Sequence, residues 1–303
     1  MRIGLIGLGD IAQKAYLPVV SSMLDVTPVL CTRNSEVLYR LCQTYNLKES
    51  YSNVAQLIAS GIDAAMVHTS TEHHIEIVEW LLKAGIATFV DKPISYHLPD
   101  TERVIELSAA KNLPLFVGFN RRYAPLISGI NETNPVQIVM QKNRSNLPAL
   151  HQTFIYDDFI HVLDTLLFLS NGHVNNLRVF SYQKEKLLAA IDVNWQSGQT
   201  LMKGSMNRLC GIEEEELQYF GQFQKWNISR LSQGWHYTDK HKTELTFSDW
   251  ESTLYKRGFV SMLQAFVERV KENNSNSTEL NNMLKTHQLC EEVLSITKTQ
   301  SES

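Results

Sequence analysis

Cysteine is scarce: Cys31, Cys42, Cys210 and Cys290 lie far apart in 303 residues and form no CxxC pair. That excludes a disulfide framework and a zinc-ligand spacing, and it fits a reducing cytosol. An excess of basic charge is missing too, since 28 Lys and Arg against 32 Asp and Glu give a formal net charge of -4 and a pI near 6.2. Without the positive field that a phosphate backbone attracts, nucleic acid is not an expected partner. Long apolar runs are also lacking. The opening MRIGLIGLGD is interrupted at Asp10, too early for the core of a secretory leader, and no stretch reaches the length of a membrane-spanning helix. The expected location is therefore cytoplasmic, with no membrane partner. The Asn-x-Ser/Thr triplets at Asn131 and Asn143 carry no meaning as glycosylation sites without secretion. No internal repeat is visible.

What is present suits a folded protein: 43% hydrophobic, 20% charged and 9% aromatic residues supply a sizeable core. At about 150 residues per domain the length predicts about two domains. Up to about residue 120, short apolar runs at 3–6, 26–31, 64–67, 88–90 and 115–118 alternate with helical patterns at 35–45, 72–83 and 99–110. That rhythm predicts a six-stranded, doubly wound parallel sheet of the Rossmann type. Beyond it come one strong helix at 158–170 and successive alternating segments at 174–182, 188–195, 201–209 and 218–223. These predict an α+β second domain with a mainly antiparallel open sheet. The run 213–216 reads as a turn or strand edge, and 271–277 as a polar loop between helices at 259–270 and 281–296. The expected fold class is α/β, with domains at 1–120 and 121–303.

Right-handed crossovers bring the carboxyl ends of parallel strands to one edge, where ligands of open α/β sheets bind. Five polar or glycine clusters follow the strands of the first domain: Gly7-Leu8-Gly9-Asp10, Thr32-Arg33-Asn34, Thr69-Ser70-Thr71, Asp91-Lys92-Pro93 and Asn120-Arg121-Arg122. They are expected to line one crevice. In Gly7-Leu8-Gly9-Asp10-Ile11-Ala12, Gly7 suits a tight turn, Gly9 a close approach of backbone to pyrophosphate, and Ala12 close helix packing. The pattern points to dinucleotide binding, although a Gly-rich turn would also produce it. Asp10 sits awkwardly beside phosphate and suits an N-cap. At the end of the second strand stand Thr32 and Arg33, with no acid before Glu36 to hold a ribose 2′-hydroxyl. NADP is therefore preferred over NAD, unless Arg33 merely solvates a helix start.

The helix at 158–170 is apolar on nearly all sides, yet Asp157, His161 and Asp164 fall on one narrow stripe. Buried carboxylates and an imidazole are costly unless paired or used, so the stripe is read either as a structural network or as a site of proton transfer. Lys92 follows an apolar strand and precedes Pro93, which stops it. On its own it is an ordinary strand-end lysine; beside a glycine loop on the same edge it is a candidate for the cofactor ribose and a substrate hydroxyl. His73 and His74 read as a surface pair, with no third metal ligand near them in sequence.

Together these motifs resemble the glucose-fructose oxidoreductase, inositol dehydrogenase and MocA (Gfo/Idh/MocA) family of nicotinamide-dependent oxidoreductases. GLGDIA is similar to its N-terminal loop, 69–74 to its TPNxxH segment, Asp91-Lys92-Pro93 to its EKP motif, and Asp157-x-x-x-His161-x-x-Asp164 to its DxxxHxxD helix. DIAQKAYLPV, GFNRRYAPL and STLYKRGFV look most like the bacterial branch labelled virulence factor MviM. The resemblance implies a catalytic trio of Lys92, Asp157 and His161, with Asp164 supporting the helix or the substrate pocket. It also implies cofactor contacts from the glycine loop, Thr32, Arg33, Thr69, Ser70, His74, Asp91, Lys92 and Arg121. The sequence departs from the family at Asp91 (usually Glu), at Ser70 (usually Pro), and at 151–156, which replaces a Gly-rich run. That last segment commonly borders substrate, so sugar specificity does not carry over.

The expected reaction moves a hydride between NAD(P) and a secondary alcohol or ketone of a sugar, cyclitol or derivative. His161 is the proton acceptor, Lys92 polarises the oxygen, and Asp157 orients the imidazole or binds a neighbouring hydroxyl. The alternatives are a non-catalytic dinucleotide or sugar sensor and a redox-assisted glycoside hydrolase with retained NAD. An open second sheet has a face to cover, which suits a homodimer or homotetramer.

Overall fold

The computed structural model describes residues 1–130, 134–170, 172–273 and 275–302, so the Asn131 triplet and Asn274 of the 271–277 loop lie outside the described residues. The chain divides into two compact units, Met1–Gly118 with Phe259–Leu284, and Phe119–Gly258 with Lys285–Ser303. The sequence rhythm marks the change near residue 120; the return of the chain to the first unit has no signature in it.

The first unit contains β1 Arg2–Ile6, α1 Leu17–Val20, β2 Thr27–Cys31, α2 Ser35–Tyr45, β3 Ser50–Tyr51, α3 Val54–Ala59, β4 Ala64–Val67, α4 His74–Lys83, β5 Ala87–Val90, α5 Leu98–Lys111 and β6 Leu115–Val117. Its parallel sheet runs β3-β2-β1-β4-β5-β6, and the reversal of order at β1 and β4 creates the switch point where such sheets take ligands. Five strands stand where the apolar runs place them. The sixth, β3, is a two-residue edge that pairs Ser50 with Leu30 and Tyr51 with Cys31, too short to show periodicity. β1, β2, β4, β5 and β6 are almost wholly buried, as a sheet covered on both faces requires. Caps set the helix starts: the Asn34 side chain accepts from Val37 N at 3.0 Å and that of Asn53 from Gln56 N at 2.9 Å.

The second unit contains α6 Pro125–Ser128, β7 Gln137–Asn143, α7 His151–Phe154, α8 Ile160–Leu169, β8 Asn175–Lys184, β9 Leu187–Ser197, β10 Thr200–Asn207, β11 Glu214–Phe220, β12 Gln224–Ser229, β13 Gln233–Thr238, β14 His241–Leu245 and α9 Thr253–Lys256. Its sheet runs β14-β13-β12-β11-β7-β10-β9-β8, antiparallel throughout except for the β7–β10 pair. Residues 214–216 belong to β11, which resolves the turn-or-edge reading of 213–216 toward a strand. α10 Phe259–Glu272 then returns to the first unit, where Phe266 packs edge-on against Phe89 and Phe116 at 5.5 and 5.9 Å between ring centroids. α11 Ser277–Glu302 follows, and the boundary between the units falls within it. No helix among the described residues is long and apolar enough to cross a membrane.

In the second unit one buried acid ties helix to sheet. Asp158 is bonded by Lys142 from β7, by Arg144 just beyond it at 3.1 Å, and by Arg208 after β10 at 3.0 Å. Burial pushes the Asp158 carboxyl up, but the charge of Lys142 and the bonds from Arg144 and Lys142 overcome this and hold it well below the usual range. Lys142 is drawn down by burial and by repulsion from Arg121, to about 7, against the attraction of Asp158 and Glu215. The three cations depend on the one acid more than the acid depends on any single cation. Asp158→Ala is thus expected to cost roughly 3–5 kcal/mol in a urea unfolding curve, and Lys142→Met about 1 kcal/mol or less, because Arg144 and Arg208 remain. The depressed Asp158 carboxyl adds a pH signature. Its contribution is complete above about pH 5 and is lost as acid takes the pH down through its folded value, a loss that Asp158→Ala removes.

Candidate functional site

The carboxyl edge of the first sheet carries a groove of about 650 Å³ lined by Gly7, Thr32, Arg33, Asn53, Ser70 and Trp80, among others. Gly7 (φ +85°) donates to Cys31 O at 3.0 Å, and a Cβ there would lie 2.7 Å from Thr69 N, so only glycine fits. A Cβ on Gly9 would meet nothing within 4 Å, which leaves that backbone open to a ligand. Gln13 braces the loop by donating to Leu8 O at 2.6 Å while accepting from Arg40. Ile11 is partly exposed and Ala12 fully buried, as close packing at the third motif position requires.

Asp10 is not an N-cap; it pairs with Lys14 at 2.7 Å across one helical turn, because the first turn, Ala12–Tyr16, is π-helical and has no side-chain cap. Thr69 lines the groove with its Oγ1 buried and without a hydrogen-bond partner. An unmet buried hydroxyl costs roughly 1–3 kcal/mol, which a bound polar group removes. Open Gly9 backbone, the exposed Arg33 and this orphaned hydroxyl fit an adenine dinucleotide with its phosphates at the glycine loop.

The neighbouring residues differ from their surface reading. His74 is 1% exposed, with Nδ1 2.9 Å from Pro93 O and Nε2 3.0 Å from Thr69 O, so it is a strut between two turns; His73 alone is exposed and lines the groove. The Lys92–Pro93 bond is cis. Asp91 turns its carboxylate inward, accepting from Tyr16 Oη at 3.1 Å and Lys92 N at 2.8 Å. The fifth expected cluster is committed elsewhere. Arg121 is buried in a two-pronged pair with Glu215 of β11, and Arg122 grips Asp164, so within the second unit both guanidinium groups serve internal ion pairs. His68, which sequence reading overlooks, is a buried imidazole stacked on Tyr16 at 4.1 Å; burial, then the charge of His74, lowers its pKa to about 3.

In the second unit the helical path begins earlier than the expected residue 158. α7 leads through a π-helical turn, Ile155–Phe159, into α8, so the segment that replaces the family's Gly-rich run is itself helical. π-turns recur at functional sites because they re-aim side chains. From 154 to 167 every residue is buried except Asp157 and His161. The expected three-residue stripe divides accordingly. Asp164 is 1% exposed, held by Arg122 Nε at 2.9 Å and Thr286 Oγ1 at 2.9 Å, which suits the helix-supporting role rather than substrate contact. Among the described residues no group of three or more His, Cys, Asp or Glu could hold a metal ion.

Residues 1–119 match the oxidoreductase family with an NAD-binding Rossmann fold, and residues 122–237 match the YceM-like C-terminal domain. The YceM protein of Salmonella typhimurium is 30% identical over 279 residues, 89% of this chain and 90% of that protein. A Gfo/Idh/MocA family oxidoreductase from Vibrio cholerae superposes with a TM-score of 0.96 at 34% identity over 100% of both chains. The MviM dehydrogenase of Clostridium difficile gives 0.91 at 29% identity, covering 97% of this chain and 99% of its own. With a six-stranded dinucleotide-type sheet, an open glycine loop and relatives aligned over nearly their whole length, the chain belongs to the Gfo/Idh/MocA family of oxidoreductases.

Proposed function

We propose that this oxidoreductase uses NADP in preference to NAD and acts on a secondary alcohol or ketone of a sugar, cyclitol or derivative. The observation that carries the reading is the sparing of Asp157 and His161 from burial on a helix otherwise sealed from 154 to 167. Asp158 and Asp164 are buried in internal ion pairs, whereas these two keep partial access to solvent. When bound, the nicotinamide supplies the hydride acceptor of the oxidative direction. His161 takes the hydroxyl proton at its imidazole, Asp157 orients that ring or a neighbouring hydroxyl, and Lys92 polarises the reacting oxygen. Thr32 and Arg33 hold the ribose 2′-phosphate, and Gly7 and Gly9 admit the pyrophosphate. Family membership supports the substrate class, since relatives include a myo-inositol 2-dehydrogenase of Thermotoga maritima.

The open face of the second sheet supports a further proposal, that copies of the chain associate through it. Register places Phe180 and Tyr182, 62% and 60% exposed, on the same face as Asp192, Ser205 and Gln141. Two adjacent exposed aromatics on an edge strand are costly in water and stabilising in a contact.

Three outcomes are expected. In a fluorescence titration with Trp80 in the groove as energy donor, NADPH binds at least about tenfold tighter than NADH, and Arg33→Ala removes most of that difference; a preference for NADH would overturn the Arg33 assignment. Across a panel of sugars and polyols, His161→Ala and Lys92→Ala each lower turnover roughly 10²–10⁴-fold with cofactor binding largely intact. Turnover preserved in both variants would remove the assignment, and tight cofactor binding without turnover of any compound by the unaltered chain would favour the sensor. Light scattering is expected to show a dimer or tetramer that Phe180→Glu/Tyr182→Glu converts to a monomer; a wild-type monomer would end that proposal.

A further inference from the structure

Lys92 is fixed through both of its chain neighbours. On one side the Tyr16 hydroxyl, at the end of the turn that follows the glycine loop, donates to Asp91 Oδ1 at 3.1 Å, and the same oxygen accepts from Lys92 N at 2.8 Å. On the other, His74 of α4 holds Pro93 O at 2.9 Å. Tyr16 is 1% exposed and its ring is locked, stacked on His68 at 4.1 Å with Phe89 and Phe259 edge-on at 5.5 Å each. Space for the hydroxyl is reserved by the lack of a side chain at Gly118, where a Cβ would lie 2.8 Å from Tyr16 Oη and 3.1 Å from Asp91 Oδ1. A buried phenol is usually satisfied by a backbone carbonyl; here it is spent on the carboxylate beside the lysine.

We propose that Tyr16 is a positioning residue for Lys92 and acts through Asp91, so that the aromatic layer beneath the sheet sets where the lysine ammonium works. The inference rests on the catalytic reading of Lys92. It also gives Asp91 a different task from cofactor contact, that of a clamp on the turn. Burial pushes the Asp91 carboxyl up while the charge of Lys92 and its N–H bond pull the other way, so the two groups feel one another's protonation. His74 and Tyr16 are the other titratable groups facing Asp91.

The test reads Lys92 itself and needs no substrate. Reductive methylation with ¹³C-formaldehyde gives each lysine a dimethylamine resonance, and the one missing from Lys92→Arg is followed against pH. Tyr16→Phe keeps the ring and its stacking and removes only the hydroxyl. It is expected to move the Lys92 midpoint by about 0.3 pH units or more, a twofold or larger change in the proton equilibrium. Asp91→Asn is also expected to move it, and Tyr16→Phe added to Asp91→Asn to move it no further, because the hydroxyl acts through the carboxylate. A smaller shift in folded Tyr16→Phe, or a shift of the same size in both backgrounds, overturns the inference. Should Tyr16→Phe fail to fold, an unchanged midpoint in Asp91→Asn overturns it and a shifted one upholds the Asp91 link on which it depends. Failure of the catalytic reading has a different readout, turnover by Lys92→Ala, which leaves these titrations untouched.

Discussion

A single carboxylate shared by three cations sets the geometry of the second unit. Asp158 lies on the inner side of the π-helical turn, and its partners come from β7, from the segment just after β7 and from the end of β10. A salt bridge on a surface contributes little to stability, but one from which water is excluded is unforgiving of a missing partner. The helix is thereby pinned at one residue, and the preceding residue, Asp157, is left partly exposed. His161, one turn on, follows from the same pinning. The chemistry proposed for that helix depends on Asp158, whose own carboxylate is committed to the three cations.

The first unit meets the corresponding demand by crowding. At its carboxyl edge the Gly7 loop abuts Thr69, and His74 bridges the turns after β4 and β5. Each contact leaves room for backbone or one ring and for nothing larger. A loop cradling phosphate must present N–H groups without side chains in the way, and crowding behind Gly7 with open space before Gly9 produces that asymmetry.

Much of this was legible in the residues. Apolar runs located β1, β2, β4, β5 and β6 because a doubly covered sheet demands uninterrupted hydrophobic strands, and α2 was placed to the residue. β12, β13 and β14 were not foreseen, since QKWNIS, QGWHYT and HKTEL carry too many polar residues for alternation to stand out. Asp157, His161 and Asp164 share a spacing, but spacing does not say which of them is gripped from behind; only Arg122 and Thr286, distant in sequence, reveal that Asp164 is. Arg121 was misleading for the same reason, because its partner Glu215 lies 94 residues away. His74 read as a surface residue because histidine pairs at helix starts usually are, whereas the carbonyls that bury it belong to two separate turns.

The return of α10 to the first unit bears on how the protein is made. Phe89 and Phe116 stack on β5 and β6, yet Phe266, which closes over them, is translated only after the whole of the second sheet. At the speed of a ribosome that interval is on the order of 10 s, long compared with the collapse of a small sheet. Throughout it the nascent first unit holds an uncovered aromatic face. The two units are therefore not made one after the other: the N-terminal sheet is begun first but is not covered until α10 has been translated, and a chain cut after residue 120 would never cover it.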